Sequence, residues 1–461
     1  MQTTVVPFAL HSYQSRSLPW AAQRCVNWRP QSAPPVDMTK SAVALMPRYA
    51  KERFGAIDGA CRGNHTMNGV LYTVCGTRLY SVDSTGTETE LGVITGTQPV
   101  TFANNDSGAI LRISADGIGY AWNGTTLSIV TSSSQSVAFI NSYFVDQVSN
   151  ISGEFVWSEP GTATIGALNF ATAEADGDPL RRVIEHQQEL WLFGEKSAEI
   201  WGTTGNADSA FQRLSASIER GLLAKHSLCK VDNSMFWIAD DRTIRRNAGY
   251  QPVRISTDWV DKVLADSANI ERARGFYHVE DGHTLYTVTC IEDGWTFQFD
   301  VTTGLWTENA TFPNSWWNAF FATHAHGSWI VGDTEGGLFK LKPGIYEDDD
   351  DTIEFKAVSA PFFRLGARVD MPRLQIDVEA GVGLTTGQGS DPQLMLRGSD
   401  DGGHTWSSEK WRTLGALGRR KQKVVFRQLG QFESRIFEVV VTDPVKAVIL
   451  GVYADINVLP P

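Results

Sequence analysis

Short apolar runs recur along this chain in pairs: a β-rich run, a turn of Gly, Asp or Asn, and a second run that closes on an aromatic. Leu71-Tyr72-Thr73-Val74 turns through Gly76 into Leu79-Tyr80-Ser81-Val82, and Leu190-Trp191-Leu192-Phe193 turns through Gly194 and Glu195 into Glu199-Ile200-Trp201. The shape returns at Met235 to Ile238, at Leu285 to Thr289 with Trp295 to Phe299, and at Trp329 to Val331 with Leu338 to Leu341. A small sheet that repeats about every 40 to 50 residues cannot bury its own face and must stack on the next one. The pattern predicts an all-β chain dominated by a six- or seven-bladed β-propeller, a rigid disc that carries no chemistry by itself.

Blades are expected near 57–95, 98–132, 137–172, 183–215, 224–257 and 271–310, with 316–345 as a further or closing blade, so the disc is assigned 53–345. Residues 1–52 hold Pro7, Pro19, Pro30, Pro34, Pro35 and Pro47 with little periodicity, which reads as an extended N-terminal arm lying on another surface. The run Glu347-Asp348-Asp349-Asp350-Asp351 reads as a solvated linker over 346–352; a calcium loop is the weaker reading, because EF-hand ligand spacing is missing. From 353 to 461 apolar and polar positions alternate (Leu374, Ile376, Val378; Leu394, Met395, Leu396; Val424, Val425, Phe426; Phe437, Val439, Val441), as in a C-terminal antiparallel β-sandwich-like module. Two breaks in the strand pattern read as helical. Thr257 caps a stretch reaching to Arg274 that puts Trp259, Val260, Val263 and Leu264 on one stripe, and Ser217 to Leu228 allows a second turn, weakened by Gly221.

Composition narrows the function classes. The 461 residues include 42 Gly, 15 Trp and 23 Phe, the turns and flat apolar groups that sheets consume. A formal net charge of −12 opposes gripping nucleic acid over the whole surface, although an acidic wall lets DNA pass without sticking. Five cysteines (Cys25, Cys61, Cys75, Cys229, Cys290) are odd in number and lack metal spacing, so a reduced, cytoplasmic place of folding is expected. Met1 to Pro7 show no secretory signal, and no run of about eighteen apolar residues predicts a spanning helix.

Ser399-Asp400-Asp401-Gly402-Gly403-His404-Thr405-Trp406 fits the Asp-box pattern S-x-D-x-G-x-T-W at Ser399, Asp401, Gly403, Thr405 and Trp406. Its logic is local: the Asp carboxylate bonds turn amides, Gly permits the tight backbone, and Trp packs beneath the hairpin. The motif occurs in sialidases and other sugar-handling β proteins, where its role is structural. A glycosidase needs two carboxylates at a set separation across a cleft. Glu185, Glu189, Glu195, Glu199, Asp240 and Asp241 are available, but nothing in the sequence pairs them. His324 and His326 on one strand would face the same way and could ligate a metal, yet spacing implies no third ligand. No nucleophile elbow, P-loop or H-E-x-x-H helix occurs, so no catalytic residue, cofactor or metal is assigned. Arg419, Arg420, Lys421 and Lys423, followed by Arg427, form a basic cluster: an exposed turn that could meet phosphate or an acidic partner subunit. Trp295, Trp306, Trp316, Trp317 and Trp329 could make a sugar platform, but their regular place near strand ends suits inter-blade packing better.

One region is more specific. Leu190-Trp191-Leu192-Phe193-Gly194-Glu195-Lys196-Ser197-Ala198-Glu199-Ile200-Trp201 is followed by Thr204-Gly205-Asn206-Ala207-Asp208, Phe211-Gln212-Arg213, Ile218-Glu219-Arg220-Gly221, Val231-Asp232-Asn233-Ser234, Phe236-Trp237, Asp241-Arg242 and Tyr250-Gln251-Pro252-Val253-Arg254-Ile255-Ser256. This resembles the packaged-DNA stabilisation proteins of short-tailed bacteriophages, also called tail hub or nozzle proteins. Val26-Asn27-Trp28-Arg29-Pro30 and the Leu79-Tyr80 hairpin are similar too. The resemblance covers most of the first 345 residues and the C-terminal module less specifically. It implies a structural virion protein of the phage tail, not an enzyme: a homo-hexameric ring below the portal and head-to-tail adaptor. Such a ring would extend the DNA channel, help retain packaged genome, and dock tail fibres, spikes or a needle plug. Double-stranded DNA would pass without sequence-specific binding, no membrane would be entered, and assembly would take place in the host cytoplasm. The rivals are a carbohydrate-active propeller that hydrolyses glycan, motivated by the Asp box and the tryptophans, and a noncatalytic host-glycan-binding protein.

Overall fold

The computed structural model describes residues 2–8, 11–32, 43–173, 177–206 and 209–459; Pro34, Pro35 and the Ala207-Asp208 pair lie outside them. Each repeat folds as a four-stranded antiparallel meander in chain order. The first comprises Cys61–Met67, Val70–Cys75, Arg78–Val82 and Glu88–Val93. Its first turn is Asn68-Gly69, with φ of 53° and 77°, the left-handed pair whose twist matches that of the flanking strands. Similar units occupy 101–134, 136–172, 180–218, 229–254 and 274–308. The first strand of each unit lies toward the axis and touches its neighbour, as Ser136–Ile140 does Leu180–His186, and Phe320–Ala325 meets Cys61–Met67 to close the circle. Apolar side chains of adjoining sheets fill the gaps between sectors, for example Val145 and Phe155 against Leu192 and Phe211.

The last sector joins Phe320–Ala325, Ser328–Gly332 and Gly337–Lys342 to an outer strand, Ala50–Ala56, from the N-terminal side. Phe339 faces Arg53 and Leu341 faces Lys51 across this junction. The Lys51 and Arg53 cations sit 4.6 and 5.2 Å from the Phe339 ring, a geometry that stabilises a strand pairing otherwise poor in apolar contact. Among the described residues the disc thus has seven sectors: six are separate four-stranded sheets, and 274–308 continues into the C-terminal module.

The helix expected after Thr257 spans Asp258–Asp266, with the Thr257 side chain accepting from the Val260 amide and Trp259, Val260 and Leu264 buried. The rest of the expected stretch is a 3₁₀ turn at Ile270–Arg272. Between Ser217 and Leu228 the helical turn is confined to Lys225–Ser227; Ser217 and Ile218 finish a strand instead.

The C-terminal residues form a sandwich. One sheet orders Trp28–Ser32, Val43–Pro47, Ile449–Leu459, Arg368–Val378 and Val424–Arg427, with Gln2–Val5 along Ile449–Leu459. The facing sheet orders Phe355–Val358, Ser434–Val441, Gln393–Ser399 and Lys410–Thr413. Trp28, Phe355, Leu374, Ile376, Leu396, Phe426 and Val439 are among the side chains buried between them. The N-terminal segment is extended as expected, but it is built into the sheets rather than laid over them. Ala22–Val26 runs parallel to Leu305–Glu308 of the disc on one side and antiparallel to Phe355–Val358 of the sandwich on the other. One hydrogen-bonded sheet of eleven strands therefore crosses from disc to sandwich.

The acidic run departs from the solvated-linker reading. Glu347–Asp348 pairs with Asp351–Thr352 as a small hairpin, and Asp348, 2% exposed, accepts two bonds from Arg48 at 2.6 and 3.1 Å and one from the Lys51 amide at 2.9 Å. Burial pushes this carboxyl up, but the Arg48 charge and hydrogen bonds outweigh it and hold the group below the usual carboxylate range. A desolvated carboxylate survives there because every partner is in place. The five cysteines are all free thiols.

Candidate functional site

The seam between disc and sandwich is tied by a network of side-chain hydrogen bonds, and Val26-Asn27-Trp28-Arg29-Pro30 runs through it. Asn27 adopts φ of 59° and is fully buried. Its amide donates to the Ala310 and Glu354 carbonyls at 3.0 and 2.8 Å, and its oxygen accepts from the Ala310 amide and Arg48 Nε at 3.0 and 2.9 Å. Trp28, also buried, donates Nε1 to the Ala447 carbonyl at 2.7 Å in the sandwich, while Arg29 reaches Asp281 in the disc at 3.0 Å. Arg24 and Ser12 share the disc carboxylate Glu308, Ser12 at 2.8 Å. Three successive side chains thus tie different layers together, so the motif specifies how the two modules sit on each other. The motif is visible in the sequence, whereas nothing there marks Arg48, Glu308 or Asp348, whose partners lie about 300 positions away.

The Asp-box residues come together as the motif requires. Asp401 accepts from Ser399 Oγ at 2.7 Å, the Thr405 amide at 2.9 Å and Thr405 Oγ1 at 2.6 Å, and the Gly403 amide donates to Ser399 Oγ at 2.8 Å. Thr405 first, then Ser399, holds the Asp401 carboxyl well below its ordinary range. Gly402 and Gly403 take φ of 76° and 98°. Trp406 is half-buried, packs with Ile436, and carries the Arg397 guanidinium 4.8 Å from its ring. A groove of about 410 Å³ beside the hairpin is lined by Arg397, Lys410, Arg435 and Asp400 among others. Among the described residues lining it Asp400 is the carboxylate, and Arg435 already binds it at 2.7 Å. That arrangement lacks the opposed acid and base that glycoside hydrolysis needs.

Arg419, Arg420, Lys421 and Lys423 sit in the connection between Lys410–Thr413 and Val424–Arg427, and with Arg427 all are exposed. None forms an ion pair among the described residues, so five cations face solvent along one edge of the sandwich. His324 and His326 do not share a strand face. His326 follows Phe320–Ala325 at φ of 50° and bonds the Val82 carbonyl at 3.0 Å, whereas exposed His324 meets the Trp329 ring edge-on. Among the described residues no three His, Cys, Asp or Glu side chains gather as a metal site. Trp295, Trp306 and Trp317 are buried; Trp295 bonds Ser267 and Trp306 bonds the Ile255 carbonyl. Trp316 stacks on Phe320 and Trp329 meets Tyr277 edge-on, so this aromatic set packs the sectors rather than paving a platform.

The family described as "Bacteriophage P22 Gp10, beta-propeller" matches residues 6–346, and "Bacteriophage P22 Gp10, beta-sandwich" matches residues 355–457. No curated protein matches the chain. Among solved structures, BamB from Moraxella catarrhalis is 10% identical, with 74% of this chain and 99% of that chain covered and a TM-score of 0.39. The Pan2 WD40 domain of Neurospora crassa is 10% identical over 64% of this chain and 95% of that chain, with a TM-score of 0.41. The computationally designed Ika8 protein is 13% identical over 63% and 99%, with a TM-score of 0.39.

Proposed function

The chain belongs to the bacteriophage P22 Gp10 family of packaged-DNA stabilisation proteins, structural components of the phage tail, and from that premise we propose that it forms a ring below the portal and head-to-tail adaptor. In this reading copies of the chain, six by the family resemblance, close around the axis and extend the DNA conduit. Retention of the genome is mechanical, by narrowing or plugging the path, because an acidic protein of net charge −12 has little to hold phosphates with over its whole surface. The observation that carries the reading is the family match over both modules, joined to a stiff build in which one eleven-stranded sheet spans them. A unit whose two modules share one continuous sheet suits a collar that must keep its bore under load.

The remaining surfaces then serve as docking faces. The exposed cations from Arg419 to Arg427 suit an acidic neighbour: an adjacent subunit, the adaptor, or a fibre, spike or plug protein. No helix among the described residues is long and apolar enough to cross a membrane, and assembly in the host cytoplasm accords with five free thiols. Electron cryomicroscopy of intact particles tests the proposal. It expects density for this chain on the tail axis, in a closed ring. Peripheral trimers on the tail sides, or DNA-filled infectious particles assembled without the chain, would refute it.

A further inference from the structure

The outer strands of the disc are not alike. Glu88–Val93 carries Glu88 and Glu90, Phe211–Ile218 carries Arg213, Gln251–Arg254 carries Pro252 and Arg254, and Ala50–Ala56 carries Lys51, Glu52 and Arg53. Leu305–Glu308 is covered by Ala22–Val26. Free strand edges are ordinarily guarded by such charges and prolines, because a bare one invites another chain. The second and third sectors depart from this. Leu127–Ser134 and Ile165–Thr172 are eight residues each, with no charge and no proline, and they hold Ile129, Leu168 and Phe170 out to water, Leu168 at 85% exposure. Apolar side chains kept exposed along such an edge mark a contact surface.

Charge singles out the same place. No lysine or arginine occurs between Arg112 and Arg181, although the chain has 40 in 461 residues. Within that stretch Arg112 neutralises Asp146 and Arg62 meets Asp116, while Glu154 and exposed Glu159 have no cationic partner among the described residues. The seven sectors follow one another around the circle in chain order. The second and third therefore lie three places from 274–308 in either direction, on the far side of the disc from the sandwich.

The sandwich end carries a surface of matching character. A groove of about 890 Å³ is lined by Trp20, Phe363 and Leu365, with Trp20 69% and Leu365 91% exposed. Arg364 and Arg368 line it too. Arg364 has no carboxylate partner among the described residues, and Arg368 has Glu433 at 3.8 Å, each of that pair more than half exposed. Trp20 also borders a cleft with Arg242 and Trp259 of the disc, so the groove opens on the flank beside the seam. One end of the molecule thus offers apolar side chains edged by cations, and the other offers apolar side chains in a stretch that holds carboxylates and no cation. Such faces are complementary in polarity and in charge.

We propose that the rim formed by Leu127–Ser134 and Ile165–Thr172 docks into the Trp20, Phe363 and Leu365 groove of a second copy of this chain. The inference rests on the ring reading and names the two faces that close the ring. Unlike faces on opposite ends of one molecule make a heterologous contact that repeats from copy to copy, and a groove on the flank turns each copy relative to the last, which a closed ring requires. Leu168 and Phe170 are the apolar anchors, and Arg364 and Arg368 face the acidic third sector.

The test uses the full chain in purified particles. A photoreactive benzoylphenylalanine in place of Phe170 should, on irradiation, join two copies of this chain, with mass spectrometry locating the adduct at Trp20 or within 361–368. Adducts to any other protein assign the rim to that partner and overturn the proposal. So does the absence of copy-to-copy adducts in particles that hold this chain in an axial ring, a result that leaves the ring itself standing; particles without an axial ring defeat the ring reading and this inference with it. Leu168→Asp and Leu365→Asp should each cut incorporation into particles by about tenfold or more, the order expected for one lost leucine contact. Circular dichroism should show both variants folded, because both side chains stand in water. Incorporation of both at the wild-type level overturns the proposal, and if either fails to fold the photochemical adduct decides.

Discussion

Asn27→Ala tests whether the seam is held by one side chain. The substitution strands two carbonyls and two N–H groups, those of Ala310, Glu354 and Arg48, at a position with no solvent exposure. Each buried group left without a partner costs about 1–3 kcal/mol, the carbonyls at the low end because each keeps a second lone pair. The backbone adds to this: at φ of 59° an alanine Cβ clashes with its own carbonyl, which costs about 1–2 kcal/mol that asparagine partly avoids by local hydrogen bonding. The sum is roughly 5–10 kcal/mol. A 461-residue chain gains about 1 kcal/mol per degree of unfolding entropy, so Tm should fall by roughly 5–10 °C. Differential scanning calorimetry at fixed scan rate reads this, with tryptophan fluorescence reporting whether disc and sandwich still melt together. Asn27→Gly is the control: it loses the same four bonds without the φ penalty, so it should melt about 1–2 °C above the alanine variant. An alanine variant melting within about 1 °C of the wild type would refute the hydrogen-bond accounting, and identical Ala and Gly variants would refute the backbone part.

Asp348 predicts a pH effect. Its folded carboxyl is held below its unfolded value, so its contribution is present above about pH 4 and is lost as pH falls through the folded value; Asp348→Asn should lower Tm at pH 7 and flatten the acid limb of a Tm-against-pH curve. Replacing Arg419, Arg420 and Lys421 together by Gln should move Tm by less than about 1 °C, since surface charges without partners contribute little, yet should reduce incorporation into particles measured by quantitative immunoblotting. Asp401→Ala should speed hydrogen exchange at the Thr405 amide, which Asp401 accepts at 2.9 Å, while leaving exchange in the disc strands unchanged; protection at Thr405 that survives would show that the turn does not need the carboxylate.

The blades were legible because each is a local object. Alternation, a left-handed turn such as Asn68-Gly69 and a closing aromatic lie within one repeat, and nearest-neighbour stacking does the rest. The Asp box and the helix at Asp258–Asp266 were legible for the same reason: their partners are three to four positions away. What was not legible depends on distant pairing. Ala50–Ala56 carries Lys51, Glu52 and Arg53 and reads as the tail of an arm until Gly337–Lys342 is beside it. Asp348 sits in a run of acids that composition alone marks as solvated, and only Arg48 turns one of them inward. His324 and His326 share a sequence spacing, but Phe320–Ala325 ends between them, so the face-sharing rule for strands does not apply.

The closure at Ala50–Ala56 also dictates an order of events. Its contact between Glu52 and Lys342 spans 290 residues, so at ordinary elongation rates the segment leaves the ribosome roughly 15–60 s before its mate exists. Throughout that interval it is a bare strand edge, open to any other nascent chain. Lys51, Glu52 and Arg53 give it alternating charge, which water tolerates and a foreign sheet does not. The residues that later clasp the circle shut also keep the waiting strand from sticking to strangers.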